Sequence, residues 1–216
     1  MKDFPFFNTQ NGVASLVFRN VPYTGSAYVT ILDSGSPEDF LKECVDFAKA
    51  VGAETVYAAG NPFLEKYPVY TQIYRMTSDV SSMPSTDACV FPVTERTVED
   101  FRTFYNEKMK DIPAADYMSK AAAQELLQKR NGYFVHRNED FLGILIGSGE
   151  KLEAIAGSRP GVGADLMGAA RSILTEDRIC LEVASENHRA IRLYERLGFL
   201  NTGVIKTWYK IFSNVK

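Results

Sequence analysis

A short β-rich run that passes through a glycine-rich loop into a helix is the feature that most limits what this chain can fold into. The run covers Lys151–Ala156, the loop reads GSRPGVG over residues 157–163, and the helical segment extends to about Leu174. A strand at Arg178–Ala184 and a helix at about His188–Leu197 follow. This alternation of strands and helices predicts a fold of the α/β (or α+β) class.

The sequence on either side of this segment has the same mixed character. Hydrophobic periodicity, cap residues and turn residues predict its elements. They are a strand at Ala88–Val93, a helix capped by Thr97 and running to about Asp111, a helix at about Ser119–Gln128, a β-hairpin of Tyr133–Arg137 with Phe141–Gly147, and closing β structure around Trp208 and Tyr209.

The sequence of the first third of the chain indicates a smaller α/β unit formed by that part alone. Its strands are predicted at Val13–Phe18, Ala27–Leu32, Glu54–Ala59 and Val69–Met76, with a helix from Ser36-Pro37 to Gly52. The segment Thr77–Asp87 is rich in Ser, Thr, Asp and Pro and is predicted to be a linker. We therefore expect two domains, at residues 1–80 and 88–216.

Composition narrows the functional classes. The chain has 24 Lys and Arg against 27 Asp and Glu, a net charge of −3, and 45% hydrophobic residues. These values exclude a disordered chain, a collagen-like repeat and a coiled-coil rod. The mildly acidic balance argues against a dedicated nucleic-acid-binding protein, which needs a concentrated basic surface.

Membrane and metal partners are not expected either. The longest strongly apolar stretch, Phe141–Gly147, is far shorter than a membrane-spanning helix, and the N-terminal residues do not resemble a signal peptide. Cys44, Cys89 and Cys180 are far apart and match no metal-binding spacing. We expect three reduced thiols, no bound metal and a cytoplasmic protein.

The glycine loop has two interpretations that the residues alone leave open. Gly161-Val162-Gly163 stands where a strand becomes a helix, so exposed backbone N–H groups and the helix dipole would suit phosphate oxygens. The same glycines are also typical of a tight turn. Since the loop lacks the Lys-Ser/Thr pair of a P-loop and the six-position dinucleotide glycine pattern, neither of those sites is predicted.

The helix near the C-terminus carries a more specific pattern. Asn187, Ala190, Leu193-Tyr194 and Gly198-Phe199 stand at the spacing N-x-x-A-x-x-L-Y-x-x-x-G-F. An amphipathic helix with a buried tyrosine explains the periodicity but does not require these residue types together. The pattern, with the order of elements over residues 88–216, resembles the last conserved motif of the GNAT superfamily of N-acetyltransferases.

The resemblance implies a mixed, mostly antiparallel sheet flanked by helices, preceded here by a smaller GNAT-like α/β half-domain. It implies acetyl-CoA as acyl donor and direct transfer of the acetyl group to an amine of a small molecule or a protein. The acceptor and the oligomeric state are not readable from the sequence.

The resemblance also assigns residues. Tyr194 matches the tyrosine that protonates the leaving thiolate, and Glu153 is the expected base, unless it is merely a solvated strand residue; His136 is a weaker candidate for the base, and His188 is expected to be exposed. The residues expected to bind acetyl-CoA are Ala154, Ile155, Ala156, Ser158, Arg159, Gly161, Val162, Gly163, Ala164, Asn187, Ala190 and Tyr194.

The loop departs from the pattern of the family. Ser158 stands where Gln or Arg is usual, and Pro160 has no N–H to offer, although Arg159 is one position away. These departures motivate an alternative function, a non-catalytic GNAT-fold module that binds CoA or another ligand as a sensor or scaffold.

Two further groups of residues have open interpretations. Arg189, Arg192 and Arg196 either meet the adenosine phosphate of CoA or form a solvated helix face. Trp208 and Tyr209 are expected in the core, with a place in the acceptor cleft as the second interpretation.

Overall fold

The computed structural model describes residues 3–214 and divides the chain into two compact units. One unit contains the chain up to Gln72 together with the segment from Val204 onwards, and the other contains Ile73–Gly203. The predicted domains, 1–80 and 88–216, stay predictions. The contacts between residues place the closing segment with the first unit.

The first unit is a mostly antiparallel sheet with one long helix. Its elements are β1 (Phe4–Thr9), β2 (Gly12–Val17), α1 (Val21–Thr24), β3 (Ser26–Ser34), α2 (Pro37–Ala50), β4 (Thr55–Ala59), a 3₁₀ turn (Pro62–Lys66), the first residues of β5 (Val69–Asp79) and most of β11 (Leu200–Ser213). The strand order is β1–β2–β3–β4–β11, and only β3 and β4 run parallel.

Helix α2 covers one face of this sheet. It begins after Ser36, with Pro37 in the first turn, and its buried residues include Phe40, Leu41 and Cys44. Because these apolar positions recur at helical spacing, a single stripe of the helix packs on the strands and forms the core of the unit.

The second unit contains the remaining elements. They are the rest of β5, a 3₁₀ turn (Val80–Ser82), β6 (Cys89–Pro92), α3 (Val98–Met109), α4 (Lys120–Lys129), β7 (Gly132–Arg137), β8 (Asp140–Ser148), β9 (Lys151–Gly157), α5 (Gly163–Ala170), β10 (Arg178–Ala184), α6 (His188–Arg196) and the start of β11. The strand order is β5–β10–β9–β8–β7–β6, and only β9 and β10 run parallel.

Helices cover both faces of the second sheet. Along β9, Leu152 and Ile155 belong to the core beneath α5 and α6, whereas Ala154 and Ala156 belong to the core beneath α3 and α4. The alternation is that of a strand buried on both sides. The predicted fold class, a mixed and mostly antiparallel sheet flanked by helices, is confirmed.

The predicted linker is wrong at its start. Thr77–Asp79 are the last residues of β5, where Thr77 pairs with Cys180 of β10. Residues rich in Ser and Thr form a strand here because a partner strand satisfies their backbone groups. Other elements also differ from the prediction: β1 and the short helix α1 were not predicted, and α5 ends at Ala170 instead of about Leu174.

None of the helices formed by residues 3–214 is long and apolar enough to cross a membrane.

Candidate functional site

Strands β9 and β10 are neighbours that separate along their length. They pair in parallel at only two positions, Cys180 with Lys151 and Leu181 with Leu152. Beyond these positions β9 pairs with β8 and β10 pairs with β5. A gap therefore opens between two adjacent strands of the sheet, towards their carboxyl ends.

The backbone of β9 directs hydrogen-bonding groups into this gap. The Ser158 N–H donates to the carbonyl of Leu142 on β8 at 2.8 Å. Because hydrogen bonds in an antiparallel pair recur at every second residue, Ala156 also bonds to β8. The N–H and C=O groups of Ile155 and Gly157 therefore turn the other way, towards the gap.

A β-bulge interrupts β9 where the gap begins. Ile146 pairs with Ala154 but the next residue, Gly147, pairs with Leu152, which leaves Glu153 as the extra residue. The Glu153 side chain is exposed. Bulges are frequent beside active sites because they redirect a side chain. The predicted base therefore lies at the entrance to the gap, although the sequence did not predict the bulge.

The glycine loop continues directly from β9. A Cβ atom on Gly157 would lie 2.8 Å from Cγ2 of Val162, and one on Gly163 would lie 2.6 Å from Cδ2 of Leu193. Gly161 has a φ of +97°, a conformation that favours glycine. The loop is thus folded back tightly against the start of α5, and α6 lies close to the same point.

The polar side chains predicted to hold phosphate already have partners in the protein. The Ser158 hydroxyl donates to the carbonyl of Phe141 at 2.8 Å. Both terminal nitrogens of Arg159 donate to the carboxylate of Asp140, whose pKa is lowered mainly by that hydrogen bond. The exposed Pro160 offers no N–H.

The first turn of α5 leaves its backbone donors open. The N–H groups of Gly163 and Ala164 lie in the first turn and therefore have no intrahelical partner. No side chain caps the helix in their place, since the N-cap residue is the buried, apolar Val162. The carboxylate of Asp165 in the same turn is occupied by Arg137 and by Thr86. The segment predicted to bind phosphate therefore offers backbone N–H groups more than side chains.

Helix α6 brings the motif residues to the same region. The Asn187 side chain caps the helix by accepting from the Ala190 N–H at 3.2 Å. Tyr194 is buried and packs against Phe199 with 5.6 Å between ring centroids. Burial raises the pKa of the Tyr194 phenol well above its usual range. The phenol therefore stays protonated throughout the neutral range.

The arginines of α6 lie on its outer side. Arg189, Arg192 and Arg196 are exposed, and within residues 3–214 no ion pair to them is formed. Since Leu193 of the same helix touches Gly163, these charges give a basic rim near the glycine loop. The rim is compatible with both earlier interpretations.

The structure does not bring the two histidines into the gap. His136 is on β7, separated from β9 by β8, and packs between Phe91 and Phe141. His188 is exposed at the start of α6, as expected. In the described part of the chain, no group of three or more His, Cys, Asp or Glu side chains is placed to hold a metal ion.

Two aromatic residues of the closing strand lie in the first unit. Trp208 is buried, with its ring centroid 5.1 Å from that of Tyr28, and Tyr209 packs against the core beneath α2. Both positions agree with the expectation that these residues belong to the core.

Sequence reasoning missed one cation at the glycine loop. Lys108, near the end of α3, donates from Nζ to the carbonyl of Ser158 at 3.4 Å. The two residues are 50 positions apart in the chain, so no local pattern could have indicated the contact.

Comparison with known proteins identifies the fold. No protein-family model matches the chain, and no curated protein matches it. Several solved structures match the chain. A GCN5-related N-acetyltransferase from Sphaerobacter thermophilus is 13% identical, with 94% of this chain and 78% of that chain covered and a TM-score of 0.58.

Two more solved structures agree. A GCN5-related N-acetyltransferase from Kribbella flavida is 13% identical, with 95% of this chain and 89% of that chain covered and a TM-score of 0.58. A tandem GNAT protein from the clavulanic acid biosynthesis pathway is 11% identical, with 93% and 79% covered and a TM-score of 0.54. The chain has the fold of the GNAT superfamily, and at these identities the likeness shows the fold alone.

Proposed function

We propose that this protein is an N-acetyltransferase that transfers the acetyl group of acetyl-CoA directly to an amine. The observation that carries the proposal is the gap between β9 and β10, which exposes backbone groups of β9 beside an uncapped helix. At the superfamily level, the GNAT-fold structural neighbours suggest the same activity.

The residues around the gap fit the two ends of an acyl-CoA. Ile155 and Gly157 offer backbone donors and acceptors that can pair with the amides of a pantetheine arm, as a further strand would. The N–H groups of Gly163 and Ala164 suit the oxygens of a pyrophosphate. Gly157 and Gly163, which have no room for a Cβ atom, keep this backbone tightly folded.

When bound, acetyl-CoA supplies a thioester carbonyl that a neutral amine can attack. Negative charge then develops on the carbonyl oxygen, and a fixed donor pointing at that oxygen lowers the barrier. The Ile155 N–H is the donor we assign to this role, since it turns into the gap next to the bulge at Glu153.

Glu153 is assigned as the base. An amine must lose a proton as it attacks, and a carboxylate within reach, directly or through a water molecule, can accept it. The Glu153 carboxylate is exposed at the mouth of the gap, where an incoming amine would pass.

Tyr194 is assigned to the leaving thiolate. Its pKa is raised by burial, so the phenol is fully protonated and available as a donor. A phenol with so high a pKa is a weak acid compared with a thiol, whose pKa is about 8.5. Its contribution is therefore a hydrogen bond that stabilises the thiolate as the carbon–sulfur bond breaks; the phenol keeps its proton and the released thiolate takes one from water.

Direct transfer is proposed in preference to an acyl-enzyme. Neither the glycine loop nor α6 contains a cysteine. Cys180 lies at the closed end of the gap, and its pKa is raised chiefly by burial, so little reactive thiolate forms at neutral pH.

A non-catalytic CoA-binding module remains the second candidate function. Two observations favour it: Arg159 is engaged by Asp140, and the N–H and hydroxyl of Ser158 bond to β8. Both remove groups that could otherwise contact a pyrophosphate.

Calorimetric titration with acetyl-CoA, with CoA as control, tests the proposal first. We expect saturable binding near one site per chain. Release of free CoA is then followed with a thiol reagent in the presence of a panel of small amines and lysine peptides. Acetyl transfer well above the uncatalysed rate supports the enzyme. Binding without transfer to any amine supports the non-catalytic module, and absence of binding overturns both.

A further inference from the structure

Lys108 reaches the glycine loop from a helix on the other face of the sheet. Helix α3 packs on the face covered with Ala154 and Ala156, whereas α5 packs on the opposite face. Lys108 nevertheless donates from its Nζ to the carbonyl of Ser158, at the end of β9, at 3.4 Å. Its side chain is 31% exposed, so the ammonium group is held at the loop and still meets solvent.

Two other cations at the loop are each matched by a carboxylate, whereas Arg189, Arg192 and Arg196 of α6 form the exposed basic rim described above. Arg159 forms a two-point contact with Asp140. Arg137 is shared between Asp87 and Asp165. These two pairs add little net positive charge for an anionic ligand, so the positive charges left near the loop within residues 3–214 are those of Lys108 and of the α6 rim.

Lys108 is not matched in the same way. The carboxylate oxygen nearest to its Nζ belongs to the adjacent Glu107, at 3.8 Å, and that side chain is 64% exposed. An exposed pair at this distance contributes little. The Ser158 carbonyl uses one of the three ammonium donors and leaves the other two for oxygens outside the protein.

We propose that Lys108 is a binding residue for the pyrophosphate of the acyl-CoA and supplies the positive charge that the loop itself does not offer. The inference rests on the proposed function, because it concerns the same ligand. Ser158 and Pro160 bring no cation, so the charge comes from α3 and is fixed at the loop by the Ser158 carbonyl. The neighbouring Phe104 ring, 5.2 Å from Nζ, restricts the side chain further.

The test compares ligands with and without the pyrophosphate. CoA and pantetheine are titrated into the wild type and into Lys108→Met, Lys108→Arg and Lys110→Met. Lys110 is an exposed lysine at the end of the same helix and serves as the matched control. Thermal melting shows that each variant is folded, with Lys108→Gln as the substitute if the methionine variant does not fold.

We expect Lys108→Met to weaken CoA binding about tenfold or more, the effect of losing a charge-assisted hydrogen bond. Lys108→Arg should retain most of the affinity, Lys110→Met should bind like the wild type, and pantetheine should bind both lysine variants equally. The affinity of the wild type for CoA should fall more steeply with salt than that of Lys108→Met.

Two results would overturn the inference while leaving the proposed function intact. One is wild-type affinity of Lys108→Met for CoA. The other is an equal loss of CoA and pantetheine binding, which would mean that Lys108 only shapes the loop through Ser158. A wild type that binds neither CoA nor acetyl-CoA would instead remove the proposed function, and the inference with it.

Discussion

Each unit of the molecule contains one strand–helix–strand element with parallel strands, and the two elements differ in whether those strands stay together. In the first unit, β3 and β4 pair at five positions, from Ser26 with Thr55 to Thr30 with Ala59. In the second unit, β9 and β10 pair at two positions and then separate. We refer to these as the closed element and the open element.

The difference lies in how much free strand edge each element offers to a ligand. In the closed element all five residues of β4 are paired with β3, so β4 has no free edge on that side. In the open element most of β9 has no partner on the side of β10, and the backbone of Ile155 and Gly157 is available. A ligand with amide groups can complete such an edge, as an added strand does.

Removing the Tyr194 hydroxyl is the strongest test that the open element is catalytic. We expect Tyr194→Phe to lower kcat about a hundredfold or more, because the leaving thiolate loses its donor. The ring stays packed on Phe199, so the melting temperature should hardly change. Release of CoA under saturating acetyl-CoA measures the effect. Tyr133→Phe, on β7, removes a hydroxyl that donates to the Arg130 carbonyl and is the control.

Unchanged turnover of Tyr194→Phe would remove the tyrosine from the reaction. The pH dependence of the wild type should agree with a buried, protonated phenol. Because the pKa of Tyr194 is raised by burial, its ionisation should cause no loss of rate below about pH 10, the ordinary value for a phenol.

The base at the bulge should have the next largest effect. Glu153→Gln keeps the size of the side chain but cannot accept the proton, so kcat/KM should fall about ten- to a hundredfold at neutral pH. The loss should shrink as pH rises towards the pKa of the amine, about 10.4 for a lysine-like acceptor, because more of the amine is already neutral. Glu182→Gln, on β10, is the control for a carboxylate engaged by Lys151. A deficit that is constant with pH would exclude Glu153 as the base.

A pair of glycine variants tests whether a tightly folded loop distinguishes the open element from the closed element. In the open element, Gly157→Val places a side chain within 2.8 Å of Val162, which should push the loop away from α5. We expect CoA affinity to fall about tenfold and the free energy of unfolding by about 1–3 kcal/mol. In the closed element, Gly35 has nothing within 4 Å of its Cβ position. Gly35→Val should change neither quantity, and equal effects of the two variants would contradict the distinction.

Most elements could be predicted because their signals are local. The start of α2 follows from Ser36-Pro37 and the apolar spacing behind it, although the Ser36 side chain makes no capping hydrogen bond. The start of α6 follows from Asn187, whose side chain caps the helix. Strand β1 escaped prediction because FPFFNT has no clean alternation, and it becomes a strand only by pairing with β2.

The segments of the candidate site could be predicted from the sequence, but their geometry could not. The glycine loop and the α6 motif are short continuous segments that local patterns indicate, whereas the roles of Glu153 and Tyr194 stay predictions. The separation of β9 from β10, the bulge at Glu153 and the contact from Lys108 all depend on pairing between distant segments. Periodicity within one segment carries no information about such register.

The smallest expected effect concerns the closed element, whose cysteine has a structural role. Cys44 is fully buried on the inner face of α2, and burial raises the pKa of its thiol to about 12. In the unfolded chain a thiol ionises near 8.5, so above about pH 9 the unfolded state binds fewer protons than the folded state. The free energy of unfolding should therefore fall as pH rises, by at most about 1.4 kcal/mol per pH unit from this group.

Cys44→Val keeps the site apolar and should remove that part of the slope, whereas Cys89→Ser, which changes an exposed cysteine, should not. Urea unfolding between about pH 8 and 9.5, followed by the fluorescence of Trp208, the single tryptophan of the chain, measures both variants below the ordinary pKa of a phenol. Equal slopes for the wild type and Cys44→Val would mean that the thiol is no more protected in the closed element than in the unfolded chain.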